Sequence, residues 1–402
     1  MELQQVLQRL QGLPRPTYLV GGALRDQLLG RQKNPLDLDL VLPGEALSWG
    51  SRLAREWGGG FVVLDRERQI ARVVVPDLTL DLATLAGGSL EADLRQRDFT
   101  CNAVAMEIHD GQIWDPLGGA ADIAAGVVRM VHPDNLTADP LRVLRGYRHV
   151  AQLGFRLEPQ TREAMRARGP LLGQVAGERV RTELLGLLAE PGLQALPMAD
   201  ADGVLRCWLP PLGHWDWARR AQSFEPRIPE VEVALADTRP VKWVLTLLIV
   251  LWEQRQQLDA CLGRLHFSRL ERQWCQKIVD HLPRLVELTQ QGAISNWDRY
   301  SLFAAMGKAL PGLIWVARAW PVENWQVWLE QFRDPQHPLA HLVPWLNGQD
   351  VMHIAQIPAG PEVGRLLGAV IRAQVDGIIH SRAEAVQWLK NLKRHPGTQD
   401  LA

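Results

Sequence analysis

The run Asn34-Pro35-Leu36-Asp37-Leu38-Asp39-Leu40-Val41-Leu42, with the segment Val20-Gly21-Gly22-Ala23-Leu24-Arg25-Asp26 just upstream, decides how the N-terminal part of this chain is read. Residues two apart on a strand point to the same face, so Asp37 and Asp39 project together from otherwise apolar alternation. Two acids held that close repel each other unless a cation neutralises them. Hard oxygen ligands favour Mg2+, which binds through one or two carboxylates plus substrate phosphates. The pair therefore points to metal-assisted phosphoryl chemistry.

Around this run the chain reads as mixed α/β from residue 17 to about 115. Strand-like runs cover Tyr18-Leu19-Val20, Leu36 to Val41, Phe61-Val62-Val63-Leu64, Ala71 to Val75 and Leu78 to Leu82. Ala103 to Ile108 and Gln112 to Trp114 read as a hairpin around Asp110-Gly111. Short helices are expected through Leu29 and over Ala46 to Trp57, the latter closed by glycines 58 to 60. Beyond about residue 136 the pattern is helical. Pro140 fits the first turn of a helix that runs to Leu153 and stops at Gly154, and Pro159 to Arg168 and Glu178 to Ala189 follow. Leu193 to Asp202 is helical only if its helix begins near Pro197.

The 402 residues carry 44 basic and 45 acidic side chains, a formal net charge of -1, so any nucleic-acid contact must come from a local basic surface. Hydrophobic residues make up 47% of the chain, enough for packed cores in about two to four domains. Cys101, Cys207, Cys261 and Cys275 are scattered without a C-x-x-C pair, which indicates neither a disulfide framework nor a zinc site and suits a reducing, cytoplasmic setting. The N-terminus does not read as a signal peptide. The apolar run from Trp243 to Trp252 is far short of the ~20 residues that cross a bilayer and reads as a buried helix.

Four constellations carry chemistry. Gly21 and Gly22, with Arg25 and Asp26, would let backbone N–H groups approach a phosphate; Arg25 could support a triphosphate or pair with Asp26. Asp37 and Asp39, with Asp81 on a neighbouring strand, would complete a metal site. In Arg97-Asp98-Phe99-Thr100-Cys101-Asn102, the arginine can hold phosphate, and Asp98 and Asn102 can bond a ribose 2'-hydroxyl. Asp139, Arg142 and Arg145, spaced by three, fall on one helix face, where an acceptor beside a cation can read a base edge. Taken singly, each also fits an ordinary turn, a solvated strand end or a surface ion pair.

Together and in this order they resemble class II tRNA nucleotidyltransferases, the CCA-adding and CC-adding enzymes of the poly(A) polymerase superfamily. Residues 20 to 26 with Asp37-x-Asp39 look like the family's catalytic motif, and Arg97 to Ala103 like its ribose-recognition motif. Asp115-Pro116-Leu117-Gly118-Gly119 looks like the segment between head and neck, and Asp139-Pro140-Leu141-Arg142 like the amino-acid template that selects the incoming nucleotide. Gly177 to Leu184, with Glu178 and Arg179, is similar to the motif that braces the template helix.

The resemblance implies an α+β fold: a polymerase-β-type nucleotidyltransferase head with a mixed five-stranded sheet, then an all-α neck, body and tail. The expected spans are 1–135, 136–210, 211–330 and 331–402, the last contacting tRNA. Mg2+ is the implied cofactor. The tRNA 3' end, CTP and, for complete CCA addition, ATP are the implied partners, with no membrane and no obligate protein partner.

Three departures stand out. Gln96 replaces the first of two arginines before Asp98, and Ala138 replaces a Glu, so Arg142 is expected to be held less firmly. Only sixteen residues, Leu82 to Arg97, separate Asp81 from Asp98, where many CCA-adding relatives carry a longer loop associated with the switch from CTP to ATP. The short connection favours CC addition, with complete CCA addition the alternative. A bacterial-type poly(A) polymerase is less favoured, because such enzymes tend to end in a strongly basic extension. A non-catalytic tRNA-binding descendant ranks last, because all three acids are present.

Overall fold

A computed structural model of the chain describes residues 2–31, 35–189, 192–212, 242–290, 293–320, 322 and 324–394. Asn34, residues 213–241 of the expected body and residues 395–402 of the expected tail lie outside the described residues. The chain forms two compact units, Met1–Gly213 with Arg264–His266, and the rest.

The first unit is built on one mixed sheet. Its strands are β1 (Tyr18–Val20), β2 (Leu36–Leu42), β3 (Gly60–Asp65), β4 (Ile70–Val75), β5 (Leu78–Thr84), β6 (Ala105–Glu107) and β7 (Ile113–Trp114), in the order β3-β4-β5-β2-β1-β6-β7. Among the described residues the sheet thus has seven strands, where the family resemblance implied five. The β3–β4 hairpin extends one edge and the β6–β7 hairpin the other, so every β-like run found in the sequence joins one sheet. Only the two-residue parallel pair β8 (Val127–Val128) and β9 (Arg156–Leu157) had no sequence signal; two residues are too few for a period to register.

Alternation along β2 does what the D-x-D spacing requires. Leu36, Leu38 and Leu40 are buried while Asp37 and Asp39 face outward. Burying Leu38 and Leu40 contributes roughly 2 kcal/mol each, and a register slip of one residue would put the acids in the core. Helix α1 (Leu3–Arg9) precedes β1, α2 (Gly22–Leu28) follows it directly, and α3 (Ala46–Trp57) ends in the left-handed Gly58. The short link from β5 to α4 (Leu90–Arg95) is one 3-10 turn, Ala86–Gly88, before the Ser89 N-cap.

Next come α5 (Gly119–Ala125), α6 (Pro133–Ala138), α7 (Leu141–Leu153), α8 (Pro159–Arg168), α9 (Gly177–Leu188) and α10 (Leu196–Ala201). Pro140 caps α7 and Gly154 ends it in the left-handed region, as the sequence suggested. Pro197 sits in the first turn of α10, where its missing N–H costs nothing. Asp139, however, is not on the helix. It precedes a proline, which excludes helical geometry, and its backbone is extended (φ −137°, ψ 92°).

The regular elements of the second unit are all helices among its described residues. Of its tryptophans, Trp274, Trp315 and Trp328 are buried in the core, while Trp345 is exposed. The apolar run expected as a buried helix forms one at Lys242–Val250. Asn296–Ala317 is the one described stretch long and apolar enough to cross a membrane. A 3-10 turn at Gly307–Ala309 breaks it, and all of Leu310–Ala317 is buried within the unit, which marks a core element.

The Asp115–Gly119 segment is tightly tied. The Asp115 carboxylate accepts from the N–H groups of Gly119 and Ala120 (2.7 and 2.9 Å), and a Cβ on residue 119 would overlap the Thr100 carbonyl oxygen. Gly119→Ala should therefore destabilise the protein by about 2 kcal/mol or more. A lowered urea midpoint at unchanged slope would register it; an unchanged midpoint would show that the backbone gives way freely.

Candidate active site

The register of the sheet aligns a row of charge. Asp39 on β2 lies directly beside Asp81 on parallel β5, and Asp81 lies opposite Arg72 on antiparallel β4. Arg72 closes on Asp81 with a two-pronged ion pair, Nε to Oδ1 at 2.7 Å and Nη2 to Oδ2 at 2.8 Å. That bonding raises the Arg72 pKa, and Asp37 and Asp39 add to it. Asp37 and Asp39 are thus two carboxylates on one outward face, while Asp81 is turned to an arginine. No group of three metal-ligating side chains is assembled among the described residues. Two carboxylates open to water still suit a hard divalent cation that takes its remaining ligands from phosphate and solvent.

The Asp39 carboxyl is reachable by water yet sits in a recess crowded by protein. That desolvation pushes its pKa up to about 6; Asp81 and Asp37 push the same way, and Arg97 and Arg72 oppose them. A cleft of about 950 Å³ opens here, lined among others by Gly22, Asp26, Asp37 and Asp39.

Gly21 adopts φ +75°, and a Cβ there would stand 2.7 Å from Asp39 Oδ2 and 3.6 Å from Arg97 Nη1. The bare backbone therefore brings the diglycine, the acid pair and the 97–102 segment to one spot. Arg25 turns into the protein. It is buried, with Nε and Nη2 on Asp26 Oδ1 (3.0 and 2.8 Å) and Nη1 on Asn102 Oδ1 (2.7 Å). Of the two roles the sequence left open, the structure takes the ion pair, because burying Asp26 demands a partner.

The 97–102 segment is a hub. Arg97 donates to Asp93 Oδ2 from Nε and Nη2 (3.2 and 3.0 Å). Asp98 accepts from the Phe99 N–H (2.8 Å), Asn102 Nδ2 (3.2 Å) and Arg145 Nη1 (3.0 Å). Burial works against ionising Asp98, but Arg145, His149 and these hydrogen bonds outweigh it and hold its pKa far below the usual range. Asn102 Nδ2 also lies 3.1 Å from Nε2 of buried His149, whose pKa desolvation pushes down to about 3.

Asp139, Arg142 and Arg145 meet this hub from the other side. Arg142 Nη1 donates to the carbonyls of Gln96 (2.8 Å) and Asn135 (3.2 Å). It is therefore not left loose by Ala138, since two backbone carbonyls hold it. Burial lowers its pKa. Arg179 on α9 pairs with Asp139 (3.0 Å), while Glu183 pairs with Arg148 (2.8 Å) and Arg145 (3.5 Å).

Asp93, Asn135 and His149 were missed as partners. Asp93 could have been found four residues before Arg97, and His149 four after Arg145 on the same helix. Arg25→Met should leave Asp26 buried without its cation and cost about 3–5 kcal/mol. A thermal melt would show it, and an unshifted melting temperature would mean that Asp26 is satisfied elsewhere.

Comparison with known proteins matches this arrangement. Residues 17–89 and 86–129 fit the poly(A) polymerase head domain, 154–214 the RNA- and SrmB-binding site of polymerase A, and 237–389 the tRNA nucleotidyltransferase domain 2. A CC-adding tRNA nucleotidyltransferase of Synechocystis is 35% identical, covering 97% of this chain and 96% of its own. A CC-adding tRNA nucleotidyltransferase of Geobacter sulfurreducens is 43% identical over 92% and 91%. The crystal structure of the Bacillus stearothermophilus CCA-adding enzyme in complex with CTP superposes with a TM-score of 0.74 at 27% identity, covering 98% of each chain. With these matches spanning both compact units, the chain belongs to the tRNA nucleotidyltransferase family of enzymes.

Proposed function

We propose that this enzyme adds cytidines to the 3' end of tRNA from CTP, releasing pyrophosphate, without a nucleic-acid template. The observation that carries the CC reading is the β5–α4 link, Leu85–Ser89, which holds a single 3-10 turn and no room for a long lever. The two relatives above, both CC-adding, agree with it. Complete CCA addition is the second reading.

Asp37 and Asp39 would hold Mg2+, which when bound acidifies the attacking 3'-hydroxyl and neutralises charge on the departing pyrophosphate. Gly21 and Gly22 present backbone without side chains beside Asp39, where the triphosphate would lie. Arg97, fixed by Asp93, offers Nη1 toward the same spot. Asp98 and Asn102 orient the ribose. Asp139, held by Arg179, accepts from the cytosine amino group, and Arg142, held by two carbonyls, donates to the base. Arg145 locks Asp98 and is a support. Asp81 balances Arg72 and keeps its charge next to Asp39. The head, neck, body and tail spans given above are our domain proposal, with the tail contacting tRNA.

Purified protein given a tRNA that lacks its 3' end should add two residues with CTP alone and none with ATP alone. Product length resolved to one nucleotide decides it: a third residue when both nucleotides are present would establish complete CCA addition, and a long A tail a polymerase. Asp37→Ala should lower CTP incorporation by at least on the order of a hundredfold with the melting temperature unchanged; undiminished extension would remove Asp37 from the metal site.

A proton on Asp39 competes with the cation. Because its pKa stands at about 6, divalent-cation affinity should be flat above pH 6 and fall about tenfold per unit below it. Titration with Mn2+ by calorimetry tests this, and an affinity independent of pH between 5 and 7 contradicts it.

A further inference from the structure

We propose that His149 is a specificity-determining positioning residue: it fixes the amide of Asn102, and with it the enzyme's preference for a ribonucleotide. The proposal rests on the reading of Asn102 as a ribose-orienting residue.

Three contacts force the geometry. Arg25 Nη1 lies 2.7 Å from Asn102 Oδ1, and a guanidinium can only donate, so the atom facing Arg25 is the amide oxygen. The amide nitrogen must then face Asp98 Oδ1 at 3.2 Å and His149 Nε2 at 3.1 Å. Both of its hydrogens are spent, one on a carboxylate and one on the imidazole. His149 Nε2 is therefore an acceptor, and the ring is neutral with its proton on Nδ1. The ring is 6% exposed, and Nδ1 has no hydrogen-bond partner among the described residues. The rings of Phe99 and His149 pack edge to face, with centroids 5.8 Å apart and planes at 87°, which holds the imidazole plane.

The consequence is a three-sided clamp. Arg25 holds Asn102 from α2, Asp98 from its own turn and His149 from α7, the helix that carries Arg142. Asn102 is the half-exposed member, so its orientation is what a bound sugar would meet. An apolar residue at 149 would fill the same space and preserve the Phe99 contact, yet leave one amide hydrogen without an acceptor. The amide would then turn more freely, and a 2'-hydroxyl would find its partner less often.

The test compares CTP with dCTP as substrates for tRNA extension by the full-length wild type, His149→Phe and His149→Gln. Phe keeps the ring and removes the acceptor; Gln supplies a carbonyl oxygen that can accept. His149→Phe should lower the ratio of kcat/KM for CTP over dCTP about fivefold, mainly through the KM for CTP. His149→Gln should restore most of the ratio. Equal losses for both nucleotides, or an unchanged ratio with a lowered melting temperature, would reduce His149 to a packing residue and overturn the proposal.

Imidazole 15N spectra give an independent readout. The Nδ1–H tautomer is expected at neutral pH, and an Nε2–H tautomer or an imidazolium would break the clamp. A wild type that takes CTP and dCTP equally would instead overturn the ribose reading of Asn102, while the 15N spectra still decide whether His149 holds the amide.

Discussion

Like-charge repulsion along one rung of the sheet is the constraint from which the rest of the head follows. Strand register puts Asp39 beside Asp81, and alternation puts Asp37 on the same face. The chain supplies two local remedies, Arg72 clamped to Asp81 and Arg97 near Asp39. Neither is sufficient: burial of the Asp39 carboxyl, with Asp81 and Asp37 adding to it, still leaves its pKa at about 6. The sign is instructive. A carboxyl whose folded pKa lies above its ordinary value favours folding while protonated and opposes it as pH rises through 6. At neutral pH the site is strained in the direction that a divalent cation relieves.

The 97–102 segment couples this rung to the start of α7, the side proposed to select the nucleotide. Arg97 reaches Gly21 and the acid pair, the Gln96 carbonyl receives Arg142, and Asp98 receives Arg145. Three consecutive residues thus touch both halves of the proposed site. Burial makes these bonds matter: in a low-dielectric setting, an unpaired Asp98 or Asp26 would cost far more than any surface pair contributes. The same economy explains Arg25, whose guanidinium gives three of its five N–H groups to Asp26 and Asn102.

The alternating run Leu36 to Leu42 and the proline and glycine that bracket α7 were legible because period and punctuation are local properties. Gly21 was also legible, since its left-handed backbone follows from a tight strand-to-helix turn. What the sequence could not show was partnership. Arg25 had two plausible fates, and only the burial of Asp26 chooses between them. Asp81 read as a third metal ligand because Arg72, nine residues earlier, becomes its neighbour only through the β4–β5 register. Asp139 read as helical by its spacing of three, but that spacing ignores the backbone restriction imposed by Pro140.

The departures at Gln96 and Ala138 gain a physical meaning from the same contacts. Arg142 is held by the backbone carbonyl of residue 96, a group that every residue carries, so exchanging the side chain leaves the bond intact. At Asp139 the stabilising charge arrives from Arg179 on another helix, independent of what stands at 138. A proposed template fixed by main-chain acceptors and a distant ion pair tolerates changes in its neighbours' side chains. It does not tolerate changes in backbone path. The residues most constrained are therefore those that set that path: Pro140 at the start of α7, Gly21 against Asp39, and Gly119 against the Thr100 carbonyl.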